Sequence, residues 1–279
     1  VRPLEKRGFS PNYSFGFYLS NPDSNSLQTY HYSSNTYYLD KSRTKINNDI
    51  LEATGLFASK LDGPKVGIWI MKYDFKQKIK YLDTIEYFNK ATKSLPTNGF
   101  YTSIMRNSRM ENFYLDYFIK LNEDERVIVT EQFFLLPASI GSSYNYNRFY
   151  GDILVLFMNK HGEINYTNRI IKAQQTYNNF GEFSSYFIER KDSILQFYYN
   201  DHFKNSEIYN YKHLVWHKHS HLALTEVSKH GKIKFSLANF KDIDGIIQVS
   251  DMLRISPNTY LVYAFKNKRS KLGKMTITR

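Results

Sequence analysis

The feature that most constrains this chain is a short turn that occurs twice in matching surroundings. Asp152-Ile153-Leu154-Val155-Leu156-Phe157-Met158 runs through Asn159-Lys160-His161-Gly162 into Glu163-Ile164-Asn165-Tyr166-Thr167. His221-Leu222-Ala223-Leu224-Thr225-Glu226-Val227-Ser228 runs through Lys229-His230-Gly231 into Lys232-Ile233-Lys234-Phe235. Lys-His-Gly-x-Ile is identical in both, and Gly231 follows Gly162 by 69 residues. An apolar β-forming run, a tight turn with Gly where φ must be positive, and a second β-forming run make an antiparallel hairpin. Lys271-Leu272-Gly273-Lys274-Met275-Thr276-Ile277 reads as a third such turn. Gly67 to Asp74, passing through Phe75-Lys76-Gln77 into Lys78-Ile79-Lys80-Tyr81, reads as the same hairpin without Gly.

Other strand pairs lie between these. Ser184 to Ile188 pairs with Ser193 to Tyr199 across Lys191-Asp192, and Met252 to Ile255 pairs with Thr259 to Phe265 across Ser256-Pro257-Asn258. Phe15 to Leu19, Phe113 to Lys120 and Arg126 to Phe134 also read as strands. A hairpin pair followed by a Lys-x-Gly hairpin makes a four-stranded unit, and repetition of such units protects sheet edges without full closure. The expected class is all-β, a β-propeller-like array of four-stranded antiparallel units, with a large β-sandwich as the alternative. The expected organisation is one β-repeat domain over 1–279, with about 1–110 less regular. Asn47 to Leu61 carries apolar residues (Ile50, Leu51, Ala53, Leu56, Phe57) compatible with a short helix, and Leu136 to Arg148 reads as a long loop.

Composition narrows the function classes. The 24 Tyr and 21 Phe favour strands and supply amphipathic rings for recognition surfaces. A formal net charge of +12 favours anionic partners: acidic proteins, acidic glycans, lipid headgroups or nucleic acid. The densest basic stretch, Lys266 to Lys271, reads as a solvated hairpin turn. No RNP-type motif, zinc-finger spacing or basic helix accompanies the charge, so specific nucleic-acid binding is not expected. The chain has no Cys, which excludes disulfides, Cys-ligated metals and Cys nucleophiles. No apolar run reaches the length of a transmembrane helix. The first residues are polar and do not form a signal peptide, while a start at Val1 is compatible with a removed leader.

Candidate sites are few. His217, His219 and His221 share one face if their segment is a strand, and three imidazoles suit zinc, copper or nickel. An exposed loop leading into the strand at His221 explains them better, since no carboxylate ligand or partner to orient the imidazoles is evident, so no metal or other cofactor is expected. Glu123-Asp124-Glu125 and the pair Asp242 and Asp244 read as solvated turns rather than a glycosidase pair. Tyr199-Asn200-Asp201 with Asn205 reads as a turn stabilised by its own side chains, not a cation loop. No nucleophile elbow, zinc helix, Walker loop or dinucleotide fingerprint occurs, and Gly141-Ser142-Ser143 lacks their contexts. No catalytic residue is expected.

One further pattern runs through the second half. Gly151-Asp152-Ile153-Leu154-Val155-Leu156, Lys160-His161-Gly162-Glu163-Ile164, Arg169-Ile170-Ile171-Lys172-Ala173-Gln174, Ser184-Ser185-Tyr186 and Phe197-Tyr198-Tyr199-Asn200-Asp201 follow in order. This order resembles uncharacterised envelope proteins of Bacteroidota, over roughly the last half to two-thirds of the chain. Tyr166 stands where such proteins often carry Trp. The resemblance implies a periplasmic or cell-surface location. It also implies a protein partner in an outer-membrane assembly, as with the β-rich soluble subunits, among them a periplasmic plug, of the type 9 secretion translocon. Asp83-Thr84-Ile85 and Asp192-Ser193-Ile194 resemble the periplasmic O-glycosylation acceptor of these bacteria. The leading expectation is a non-enzymatic protein-binding subunit of an envelope complex. A glycan-binding or glycan-active propeller for acidic sugars, and electrostatic nucleic-acid binding, remain as alternatives.

Overall fold

The computed structural model of the protein describes residues 2–4, 14–21, 26–33, 38–60, 63–88, 112–137, 146–177, 183–202, 220–237, 246–266 and 269–277. Among them the chain is all-β. Strands are joined by turns, and a single 3₁₀ turn, Val249–Asp251, is the one helical element. No helix among the described residues is long and apolar enough to cross a membrane.

Each sheet is built from strands consecutive in the chain, and several sheets are four-stranded. The first holds β1 (Arg2–Leu4), β2 (Ser14–Asn21) and β3 (Ser26–Ser33). The second is an antiparallel meander of β4 (Tyr38–Asn47), β5 (Ile50–Ala58), β6 (Lys65–Asp74) and β7 (Ile79–Tyr87). The third comprises β8 (Phe113–Lys120), β9 (Glu125–Pro137), β10 (Tyr146–Asn159), β11 (Ile164–Ile170) and β12 (Gln174–Tyr177), with β12 returning to β10. The fourth is the meander β13 (Phe187–Lys191), β14 (Ile194–His202), β15 (Ser220–Ser228) and β16 (Ile233–Leu237). In the fifth, β19 (Thr259–Lys266) pairs along its whole length with β20 (Arg269–Thr276), and with β17 (Ile246–Ile247) and β18 (Leu253–Ser256) at opposite ends of its span.

The repeated turn is visible in atoms. Gly162 and Gly231 take φ of +91° and +77°, a region that favours glycine. In the first copy Gly162 N donates to Asn159 O, and the Asn159 side-chain oxygen accepts from the amides of His161 and Glu163. In the second, Gly231 N donates to Ser228 O and Lys232 N donates to the Ser228 hydroxyl. Asn159 and Ser228 thus do the same work three residues before each Gly. In the Gly-less hairpin the left-handed position is taken by Lys78, at φ +59°.

Three sequence expectations are overturned. The third Lys-x-Gly segment is not a turn: Gly273 lies inside β20 opposite Val262, and Lys266 already pairs with Arg269. The proposed helix over Asn47 to Leu61 is absent from its described part, 47–60: Asn48 and Asp49 (φ +46° and +65°) make a two-residue hairpin turn into β5. Tyr199-Asn200-Asp201 is not a turn but the buried end of β14. The expected loop over Leu136 to Arg148 overlaps β9 and β10 at its ends.

The chain forms two compact units, one of residues 1–94, 108–130 and 156–165, the other of residues 95–107, 131–155 and 166–279. In the first, Leu39, Leu51, Ala53, Phe57, Trp69 and Met71 make a core in which β5 is buried along nearly its whole length. In the second, Tyr198, Leu222, Ile247, Val249, Met252, Tyr260, Val262 and Met275 pack together.

Candidate functional site

Two features of the described surface invite a ligand, a basic pocket in the first unit and an apolar sheet face in the second. The pocket begins with a charge placed inside an apolar strand. Register sets Glu52 of β5 beside Lys72 of β6, and Lys72 beside Leu82 of β7. Arg126, at the start of β9, reaches Glu52 Oε1 with Nη2 at 2.7 Å, and Lys72 Nζ lies 3.1 Å from the same oxygen. All three side chains are about nine-tenths buried. A buried charge must be paired, and here two cations share one carboxylate. Burial alone would raise the Glu52 pKa, but the hydrogen bonds from Arg126 and Lys72 and their charges outweigh it and hold the carboxyl below its usual value. Glu52 Oε2 and Arg126 Nε are buried without a hydrogen-bond partner.

The rim comes from turns. In the turn between β8 and β9, the Asn122 side-chain oxygen accepts from the amides of Asp124 and Glu125. This holds Glu123 against Lys120 at 2.6 Å and presents Asp124 to Lys160 at 3.0 Å. Lys160 and His161 come from the repeated Gly162 turn. On the opposite side, the β6–β7 register pairs Lys72 with Leu82 but Tyr73 with Lys80, so Tyr81 is the extra residue of a β-bulge. Its ring is half exposed and lines the pocket. The pocket is half open to solvent, and its volume is about 650 Å³, within the range of small-molecule sites.

The second feature is the outer face of the last sheet. Cross-strand partners share a face, so Leu253, Leu261 and Lys274 lie together, and Tyr263 and Leu272 lie beside them. The opposite face carries Tyr260, Val262 and Met275, all buried. Leu253 is 59% exposed and Leu272 66%, with Ile255 and Tyr263 also exposed. Lys274 is exposed on this face, whereas the register puts the exposed Arg254, Arg269 and Lys271 on the face of Tyr260, where Arg254 pairs with Glu189.

A buried polar network in the second unit has an internal role. Asp152 accepts from Arg169 Nε at 2.8 Å and from the Lys172 amide. Burial raises the Asp152 pKa against the opposing charge of Arg169. Lys172 Nζ donates to Glu131 and to Gln174, and Ser185, held at φ +68°, donates its hydroxyl to Glu131. Asn200 donates to the carbonyls of Phe183 and Ile247. These bonds pin the connections among β12, β14 and the strands around them.

The histidine set divides. His221 lies in β15 opposite Asp201, whereas His217 and His219 fall outside the described residues, as do Asp242, Asp244, Asn205 and Gly141-Ser142-Ser143. Among the described residues no group of three His, Cys, Asp or Glu is placed to hold a metal ion. Glu123, Asp124 and Glu125 form the turn read from sequence, and Glu123 of that turn lines the pocket. Sequence reasoning missed Glu52, Lys72 and Arg126. The available signal was a lone charge inside each apolar run, Ile50-Leu51-Glu52-Ala53 and Ile70-Met71-Lys72-Tyr73.

Comparison with known protein families finds no matching model, and a search of curated proteins finds no match.

Proposed function

We propose that the protein is a non-enzymatic binding subunit of a bacterial envelope assembly, docking on a protein partner through the outer face of β18, β19 and β20. The observation that carries this reading is the contiguous exposed apolar set Leu253, Tyr263 and Leu272 on a sheet whose other face buries Tyr260, Val262 and Met275 in the core. Contiguous apolar surface rimmed by polar groups is typical of protein contact sites. Lys274 on that face and the net charge of +12 favour a partner with an apolar centre and an acidic rim. The sequence resemblance to Bacteroidota envelope proteins supports the periplasm or cell surface, and an outer-membrane complex, as the setting.

Fully burying a Leu side chain contributes about 1.5–3 kcal/mol, so Leu272→Asp is expected to weaken docking at least tenfold. The test is the native size of the protein extracted from its source cells in mild detergent. Wild type is expected to migrate in a larger assembly and the Leu272→Asp variant as the free 33.1 kDa chain. A wild type that migrates only as the free chain would overturn the reading.

A further inference from the structure

We propose that the basic pocket of the first unit is a binding site for a carboxylate-bearing sugar, a hexuronic acid alone or as the residue of an acidic glycan. The inference goes beyond the docking reading and uses residues of the first unit alone.

The charge balance selects the anion. At the rim, Lys120 is matched by Glu123 and Lys160 by Asp124. At the floor, Lys72 and Arg126 share the one carboxylate of Glu52, which leaves one positive charge uncompensated. A monoanionic carboxylate neutralises that charge, whereas a dianionic phosphate overshoots it. The orphan atoms at the floor point the same way. Arg126 Nε is a buried donor without an acceptor and Glu52 Oε2 a buried acceptor without a donor. Both atoms belong to side chains that line the pocket, so unmet hydrogen-bonding capacity lies next to the cavity. A ligand with a carboxylate beside a hydroxyl carries both complements, an acceptor for Arg126 and a donor for Glu52, which a small turn of the two side chains would bring to it.

The apolar contribution selects the ring. Tyr81 is raised out of the strand ladder by the β7 bulge, and its half-exposed face lines the same pocket as the charged floor. An aromatic face with a hydroxyl at its edge suits the C–H face of a sugar ring. Ile50 and Leu82 add apolar wall, and the volume of about 650 Å³ accommodates a monosaccharide with part of a neighbour.

The experiment is titration calorimetry on the full chain with a galacturonate oligomer, the equivalent neutral galactose oligomer and inorganic phosphate, at low and moderate salt. Saturable heat with the uronate and none with the neutral oligomer is expected, weakening as salt rises. Because Lys72 and Arg126 are buried, the variants are Lys160→Gln and Tyr81→Ala at the exposed rim, with melting curves as the folding control. Lys160→Gln leaves Asp124 unmatched at the mouth and is expected to weaken uronate binding several-fold. Tyr81→Ala is expected to weaken it about tenfold with the melting temperature unchanged, the loss of one ring–sugar contact. Equal binding of the uronate and neutral oligomers, no binding of either, or phosphate competing as well as uronate with no effect of Tyr81→Ala would each overturn the proposal.

Discussion

Replacing Gly67 by Ala is expected to destabilise the first unit, although the change normally helps a strand. Gly→Ala at a compatible position stabilises by about 0.4–1 kcal/mol through the unfolded chain. At Gly67 the added Cβ meets the Glu86 carbonyl oxygen at 2.2 Å and the Phe57 ring at 2.5 and 2.7 Å. The carbonyl belongs to β7, which is tied to β6 by the ladder from Gly67–Tyr87 to Asp74–Ile79. The Phe57 ring is fully buried and held edge-on against Tyr87, with centroids 5.2 Å apart. Neither obstacle can swing aside, so the strand pair must part. Overpacking of this kind costs about 1–3 kcal/mol, and more where backbone must move. A net loss of roughly 2–3 kcal/mol corresponds to a fall in melting temperature of about 4–10 °C. Urea unfolding followed by tryptophan fluorescence suits the test, since Trp69 lies two residues along the same strand and is fully buried. A Gly67→Ala protein as stable as wild type would refute the packing described for β5, β6 and β7.

Other perturbations separate local roles. Gly162→Ala is expected to cost about 1–2 kcal/mol, because φ is +91° and its Cβ meets Ile70 at 3.0 Å. Gly273→Ala has nothing within 4 Å and is expected to be neutral or slightly stabilising; equal losses in urea melts would restore the turn reading at Gly273. Arg169→Met removes one partner of a fully buried pair and is expected to cost about 3–5 kcal/mol, and a stable variant would show that Asp152 is not charged there. The Glu52 pKa is lowered by folding, so its contribution is present above the unfolded-state value near 4.5 and lost as pH falls through the folded value. Glu52→Gln should flatten that part of the acid limb in urea midpoints taken from pH 7 to pH 3, and an unchanged limb would contradict the assignment.

The parts of the fold legible in sequence were those with local causes. Phe113 to Lys120 reads as a strand because its residues suit a half-buried pleat, and it is β8. The turns at Gly162 and Gly231 read correctly because only glycine takes those φ values cheaply. The β5 strand was obscured by its own burial: with both faces covered it shows no two-residue alternation, and short apolar runs then also match helical spacing. Gly273 misled because Ser270-Lys271-Leu272-Gly273 shares Ser-Lys-x-Gly with Ser228-Lys229-His230-Gly231, while the deciding factor, the full pairing of β19 with β20, is not local. The pocket was half legible. The Glu123 turn and the Lys160 turn were visible, but their meeting with Glu52, Lys72 and Arg126 depends on contacts up to 74 residues apart.

The docking reading is tested most directly by site-specific photocrosslinking in the source cells, with a photoreactive residue at Leu272 on the apolar face and, as a control, at Lys232 on the exposed turn after β15. A discrete adduct to one partner protein from position 272, and none from 232, is expected. No adduct at 272, or the same adducts from both positions, would contradict a partner seated on the outer face of the last sheet.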